Sequence, residues 1–333
     1  MRFFAGFVSG IVILALLWLL AIYGQIGNPT ATSRWVYDAY MKKEAILKKT
    51  SGRRLLIVAG SNALFGIDSK ILKRKYGRDC VNLGVNAGLL LPYILYRARR
   101  ELARGDIVLL PLEYSMYVYD GEPNEQIIGF TYAFDPAFFS ELGWRERIEM
   151  LWKTPLSRVL EGYLQTGRKA IDYGLYGAHH IDDNGDQKAN SLKDIGKEER
   201  AALAAIKPER YGREYHKDAI SWRYLEAFEK WARRNGICTI YTPPVFMDNP
   251  LYHNDAVERA FYENLPQEAR KHGLRFVGNP YEFMYPKEWF FNTDYHLNAE
   301  ARKRHTARLV KLLGDDLERY CPAPIRVHGG ERE

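Results

Sequence analysis

Arg54-Leu55-Leu56-Ile57-Val58-Ala59-Gly60-Ser61-Asn62-Ala63-Leu64-Phe65-Gly66 is the stretch on which the fold turns. A short apolar run closed by a glycine fits a strand buried on both faces, and the helix-like segment Ser69 to Tyr76 follows it at once. The same alternation recurs at Cys80 to Gly84 before Pro92 to Ala103, and at Asp106 to Leu112. It returns at Gly236 to Thr242 before Asp255 to His272, and at Leu274 to Val277 before Asn298 to Leu313. Five strands with intervening helices predict an α/β fold, a three-layer αβα sandwich around a mostly parallel sheet.

The expected domain runs over residues 53–317, interrupted between Glu113 and Lys217 by aromatic, helical and polar pieces with no strand of the main sheet. That piece reads as one insertion beside the carboxyl ends of the strands. Within it, Asn184-Gly185 between polar flanks signals a hairpin turn. Asp182, Asn184 and Asp186 have half the spacing of an EF-hand loop, but the glutamate that closes such a loop is absent, so a plain turn is expected and no metal is assigned. Residues 318–333 are read as a carboxyl-terminal tail.

Ahead of the domain, Phe3 to Tyr23 runs without a charged residue. At about 1.5 Å per helical residue it covers the roughly 30 Å hydrocarbon core, which predicts one transmembrane anchor. A secretory signal peptide is the rival, although its apolar region is normally only about 7 to 15 residues long. Arg2 on one side and Arg34, Lys42 and Lys43 on the other leave orientation undecided by charge alone. Residues 24–52 are expected to form a linker and helical stalk.

The formal net charge of +7 favours anionic partners, and the 14% aromatic content suits a surface near a membrane or carbohydrate. No zinc finger, RNA-binding signature or basic tract points to nucleic acid. Arg97, Arg99 and Arg100 read as a solvated helix face. Cys80, Cys238 and Cys321 lack metal-site spacing, and buried, unpaired thiols are the expectation for them.

Chemistry is expected at the carboxyl ends of the strands. Ser61 lies just beyond the first strand, where its hydroxyl can face a pocket while nearby N–H groups stabilise an oxyanion. By itself a Gly-Ser-Asn is also an ordinary helix cap. Gly84, in Asn82-Leu83-Gly84-Val85-Asn86, should lie beside that turn. Near the other end, Asn292-Thr293-Asp294-Tyr295-His296-Leu297-Asn298 offers a base and a carboxylate on one loop, with Asn298 placed to cap the next helix.

A Gly-Ser after the first strand, an Asn-x-Gly after the second and an Asp-x-His-Leu-Asn before the last helix together resemble the SGNH, or GDSL-like, hydrolase superfamily. With the amino-terminal anchor, the chain is similar to its exported acyl-transfer branch, the alginate acetylation and DltD-type proteins. The resemblance covers about Arg54 to Val85 and Cys238 to Leu313. It implies a flavodoxin-like sheet, Ser61 as nucleophile, His296 as general base and then acid, and Asp294 as its orienting partner. The backbone of Ser61 with Gly84 would form the oxyanion hole, assisted by Asn62 or Asn86. Two departures stand out: Gly60 replaces the aspartate of a GDSL motif, and Leu110-Pro111-Leu112-Glu113-Tyr114 replaces the block that supplies an asparagine donor.

The resemblance implies a membrane-anchored, extracytoplasmic O-acyltransferase without a cofactor, acting on an exported glycan or glycolipid beside a multi-pass membrane-bound O-acyltransferase. In a bacterial cell its place would be the inner membrane, with the domain in the periplasm or outside the cell. Transfer of the same acyl group to water would make a carbohydrate esterase or lysophospholipase. An inactive SGNH-like domain that binds glycan or scaffolds a membrane complex is the reading from another class.

Overall fold

The computed structural model describes residues 2–169 and 171–322. Helix α1 (Arg2–Gly24) leads into α2 (Ala31–Leu47), β1 (Leu55–Ile57), α3 (Ser61–Gly66), α4 (Ser69–Tyr76), β2 (Cys80–Asn82), α5 (Leu90–Glu101) and β3 (Ile107–Leu110). The middle of the chain is helical: α6 (Tyr114–Tyr117), α7 (Glu125–Phe134), α8 (Trp144–Trp152), α9 (Leu156–Leu164), α10 (Lys197–Ala205) and α11 (Tyr211–Glu214), with 3-10 turns between. Then follow α12 (Ile220–Arg234), β4 (Cys238–Tyr241), β5 (Phe246–Met247), α13 (Pro250–Asn254), α14 (Ala256–Lys271), β6 (Met284–Tyr285) and α15 (Ala299–Leu313).

The main sheet is parallel with strand order β2-β1-β3-β4. Leu55 and Ile57 of β1 face a core built with α4, α12, α14 and α15, while Leu56 and Val81 face the core under α2 and α7. Alternate residues of one strand thus bury into opposite layers, which makes the three-layer α/β sandwich.

The sheet has four strands, not the five expected. Leu274–Val277 makes a single parallel bridge to β4, with the Tyr241 N–H donating to the Arg275 carbonyl and the Val277 N–H to the Tyr241 carbonyl. Gly273 and Gly278 flank it at φ +77° and +100°, so the chain turns in just before this segment and out just after it. The apolar run is long enough to read as a strand, but its neighbours leave room for one bridge. A separate parallel pair, β5 with β6, lies beyond β4.

Residues 24–52 do not form a free stalk. Val36, Ala39, Tyr40, Lys43, Ile46 and Leu47 are buried on the domain side of α2, and the Lys43 ammonium donates to the carbonyls of Asn82 (2.7 Å) and Gly185 (2.6 Å). Gly185, at φ +88°, sits in the expected turn, bracketed by an antiparallel bridge between Ile181 and Gln187. The turn docks on the end of β2, where Asn82 donates its N–H to the Asn184 carbonyl. Asp182 accepts the N–H groups of Asn184 and Asp186, and Asp186 accepts from Ser69 and Asn82, so both carboxylates serve the turn and its seat.

Two other readings change. Cys238 and Cys321 form a disulfide across 83 residues of sequence, because the segment after α15 crosses the amino ends of the strands, where Arg53 and Arg78 hold Glu318, and reaches the first residue of β4; Cys80 is buried and free. Arg97 is not solvated: it is buried between Glu44 (2.9 Å) and Glu101 (2.7 Å). The start of the expected tail is held in place by Arg53, which pairs with Glu318, and residues 323–333 lie outside the described residues. Among the described residues one helix, Gly6–Gly24, is long and apolar enough to cross a membrane, and nearly all of it is exposed.

Candidate functional site

The order β2-β1-β3 places a topological switch point at β1 and β3, since the chain leaves β1 to one side and returns on the other. The turn after β1 carries Gly60, Ser61 and Asn62; the segment after β3 carries Glu113. The two meet. The N–H of Gly60 donates to Glu113 Oε2 and the N–H of Asn62 to Oε1, both at 3.0 Å. Glu113 is fully buried, and its carboxyl is held above the usual range by burial, with the backbone donors opposing that shift.

This contact accounts for both departures from the GDSL pattern. A Cβ at position 60 would run into the Glu113 carboxylate and stand 2.6 Å from the Ala87 backbone nitrogen, so only glycine fits. The space that a side chain at position 60 would need holds a carboxylate delivered from β3. Glu113 was legible in the sequence only as the residue where an asparagine block was missing.

Ser61 opens α3 as its first helical residue, half-buried, and its hydroxyl makes no hydrogen bond to any described residue. Phe65 lies one turn along the same helix face. The His296 imidazole stacks flat on it, ring centroids 4.0 Å apart and planes within 7°. Helix α15 packs against α3 and α4, which brings the loop before it to that face.

That loop is a tight hairpin closed by the antiparallel bridge between Phe290 and Leu297 and by the Phe291 N–H on the His296 carbonyl (2.7 Å). The hairpin sets Asn292 across from His296, and Asn292 Oδ1 lies 2.8 Å from His296 Nδ1. An acceptor there puts the proton on Nδ1 and leaves the Nε2 lone pair available. Tyr176, from the insertion, receives a hydrogen bond from the Asn292 amide and turns its ring edge toward His296. Burial pushes the imidazole down to about 3, so it is neutral across the physiological range.

Asp294 does not orient His296. It stands at the hairpin tip, where its carbonyl accepts the Met247 N–H, and its Oδ2 is buried without a hydrogen bond. Burial first, and then Glu209, raise its carboxyl to about 7. The physical reason is the shape of the loop: residues 292 and 296 face each other across the hairpin, and residue 294 leaves from its end. The Asp-x-His spacing drew attention to the wrong partner, and the Asn-x-x-x-His spacing was the available signal.

Two of the expected oxyanion donors are engaged elsewhere. Gly84 does lie against the turn, since a Cβ there would come within 2.5 Å of the Gly60 carbonyl oxygen, but its N–H donates to Asn82 Oδ1 at 3.0 Å. The Asn62 amide donates to the Pro111 carbonyl (2.8 Å), besides the backbone N–H held by Glu113. Asn86 caps the following 3-10 turn through Gly88. The Ser61 N–H, at the start of α3, makes no hydrogen bond to a described residue, and neither does the Asn86 side-chain amide, whose cap uses only its oxygen; these two donors remain for an oxyanion. Asn298 caps α15 as expected.

No protein-family model, no curated protein and no solved structure matches this chain. Function is therefore argued from the site.

Proposed function

We propose that the protein is a membrane-anchored, extracytoplasmic SGNH-like acyltransferase in which Ser61 carries the acyl group. The observation that supports this best is a helix-start serine whose hydroxyl is uncommitted among the described residues and, four residues further along the same helix, Phe65, on which a neutral histidine is stacked with its Nδ1 held by Asn292; the serine and the histidine share no hydrogen bond in this structure. His296 Nε2 takes the serine proton as the hydroxyl attacks an acyl carbonyl and gives it to the donor's departing group. It then takes the proton of an incoming sugar hydroxyl, which attacks the acyl-serine carbonyl, and returns that proton to Ser61 Oγ as the acyl–serine bond breaks. Asn292 replaces the expected aspartate as the positioning residue, in the manner of a Cys-His-Asn constellation. Glu113 holds the turn and does not touch substrate.

Export is supported by the apolar amino-terminal helix together with the Cys238–Cys321 disulfide, a bond that persists in oxidising compartments. The acceptor is an exported glycan or glycolipid, and the acyl donor comes through a multi-pass membrane partner, because acyl thioesters are cytoplasmic. Hydrolysis of the same acyl-enzyme would give an esterase.

A second reading, an inactive scaffold or glycan-binding domain, is favoured by the engagement of the Gly84 and Asn62 N–H groups, which leaves a sparse oxyanion hole. Fluorophosphonate labelling of the full-length protein separates the two. The enzyme reading expects covalent labelling in the wild type and none in Ser61→Ala. An unlabelled, folded wild type overturns it in favour of the scaffold. Mass analysis after incubation with an acetyl ester and an oligosaccharide then distinguishes transfer from hydrolysis.

A further inference from the structure

The amino-terminal helix does not leave the domain at a single point. Trp18 donates its indole N–H to the Leu151 carbonyl of α8 at 3.4 Å, and the Tyr163 hydroxyl of α9 lies against Gly24. Trp18 precedes the end of α1 by six residues, which is about 9 Å along a helix. If α1 crosses the bilayer, the end of α8 stands beside it well inside the exit point.

The surface of α8 and α9 fits that depth. Trp144, Ile148 and Trp152 recur every fourth residue on α8, and Leu156, Leu160 and Leu164 do the same on α9, so each helix presents one apolar stripe. All six are exposed, with Trp152 at 86%. A stripe of this kind on a water-facing helix exposes apolar area that solution gives no reason to keep. Two of the carboxylates on these helices are held by neighbours, Glu146 by the Tyr224 hydroxyl and Glu161 by Thr32, while Arg145 lies over the Trp144 ring, where a cation can meet the headgroups. Between α1 and the domain runs an apolar groove of about 400 Å³, lined by Leu16, Leu20, Tyr23, Phe139 and Leu151 among others.

We infer that α8 and α9 are embedded in the lipid leaflet from which α1 emerges, with the groove beside α1 filled by acyl chains. The occupant is the bilayer itself because the patch is continuous with the anchor and reaches the depth of Trp18. Tryptophans at Trp144 and Trp152 are the residue type that membrane interfaces favour. This inference rests on the anchor reading, and it sharpens the substrate class: a domain fixed on the membrane surface takes an acceptor or donor confined to the membrane plane, a lipid-linked glycan or a membrane-bound acyl carrier.

The test uses single cysteines in the full-length protein, at Ile148→Cys, Trp152→Cys and Leu160→Cys, with Leu14→Cys inside α1 and Lys271→Cys at the exposed end of α14. Each is labelled with an environment-sensitive fluorophore; Cys80 is buried and the other two cysteines are bonded to each other, so the label goes to the new site. The proteins are reconstituted in phosphatidylethanolamine and phosphatidylglycerol vesicles containing nitroxide-labelled acyl chains. Blue-shifted emission and quenching at positions 148, 152 and 160, as at position 14 and unlike position 271, is the expected result. Quenching at 14 alone overturns the leaflet contact and leaves the anchor standing, whether the stripe is then covered by a second copy or by nothing. An unquenched label at 14 overturns the anchor and this inference with it.

Discussion

His296 and His305 bracket the first half of α15, and both are buried neutral imidazoles held down to about 3 by burial, with Arg308 adding to the effect at His305. Their surroundings differ. His305 Nδ1 meets the Tyr285 hydroxyl at 3.0 Å, and the rings of Phe283 and Tyr285 meet it edge-on. His296 lies flat on Phe65 with Nδ1 on Asn292, and Phe65 stands four residues along α3 from Ser61, whose hydroxyl has no partner among the described residues. Burial and a depressed pKa are therefore not marks of a functional histidine in this protein. What separates the two is what Nδ1 meets, a tyrosine hydroxyl or an amide oxygen, and which element the ring packs on.

The sharpest way to break that comparison is to remove each ring in turn. His296→Ala should lower the rate of fluorophosphonate labelling of Ser61 by about 10³-fold or more, the size of effect expected when a serine loses its base. His305→Ala should leave the labelling rate near wild type. Equal losses in the two variants would mean that His296 acts only through packing.

Stability should show the reverse order. His305→Phe leaves the Tyr285 hydroxyl buried without its His305 partner, at a cost of about 1–3 kcal/mol, read as a lower melting midpoint in detergent. Adding Tyr285→Phe removes the orphaned group and should restore part of the loss. A double variant no better than the single one would place the cost in packing against Phe283.

Acid separates the histidines from the carboxyl group near them. Each histidine titrates at about 6.5 when unfolded and about 3 when folded, so below pH 6.5 the unfolded chain takes up protons that the folded one refuses. Stability contributed by each is complete above pH 6.5 and falls as pH drops toward 3, by about 2 kcal/mol per histidine between pH 6.5 and 5. Asp294 acts with the opposite sign: its carboxyl is raised to about 7, so the folded state holds its proton and this group alone favours folding as pH falls from 7 toward 4. Melting midpoints from pH 7 to 5 should therefore drop less steeply in His305→Phe than in wild type, and more steeply in Asp294→Asn.

The parts legible in the sequence were those fixed by local pattern. The apolar run Leu55 to Ala59 closed by Gly60 gives β1 and its turn, because burial on both faces imposes composition directly, and the uncharged run from Phe3 gives an apolar helix whose length and composition are local properties. The roles that were missed depend on contacts between distant segments. Glu113 reaches back over 51 residues to Asn62, and Cys321 pairs with Cys238 only because the segment after α15 crosses the amino ends of the strands. Nor does any local pattern reveal that α2 lies on the sheet, since that rests on one buried lysine and a few apolar side chains on a helix with a mixed sequence.

The last and smallest effect decides which residue positions His296. If Asn292 holds the tautomer, Asn292→Ala should slow labelling by about 10²-fold, the cost of a base left misplaced, while the melting midpoint moves little. Asn292→Asp should restore the rate or exceed it, because a carboxylate on Nδ1 supports the imidazolium better than an amide does. Asp294→Asn should leave the rate near wild type, since its side chain leaves the hairpin from the tip and makes no bond to the ring. If Asp294→Asn instead abolishes labelling and Asn292→Ala does not, the loop rearranges on binding so that Asp294 swings onto Nδ1. The contrast between the two histidines would then hold only for the free protein.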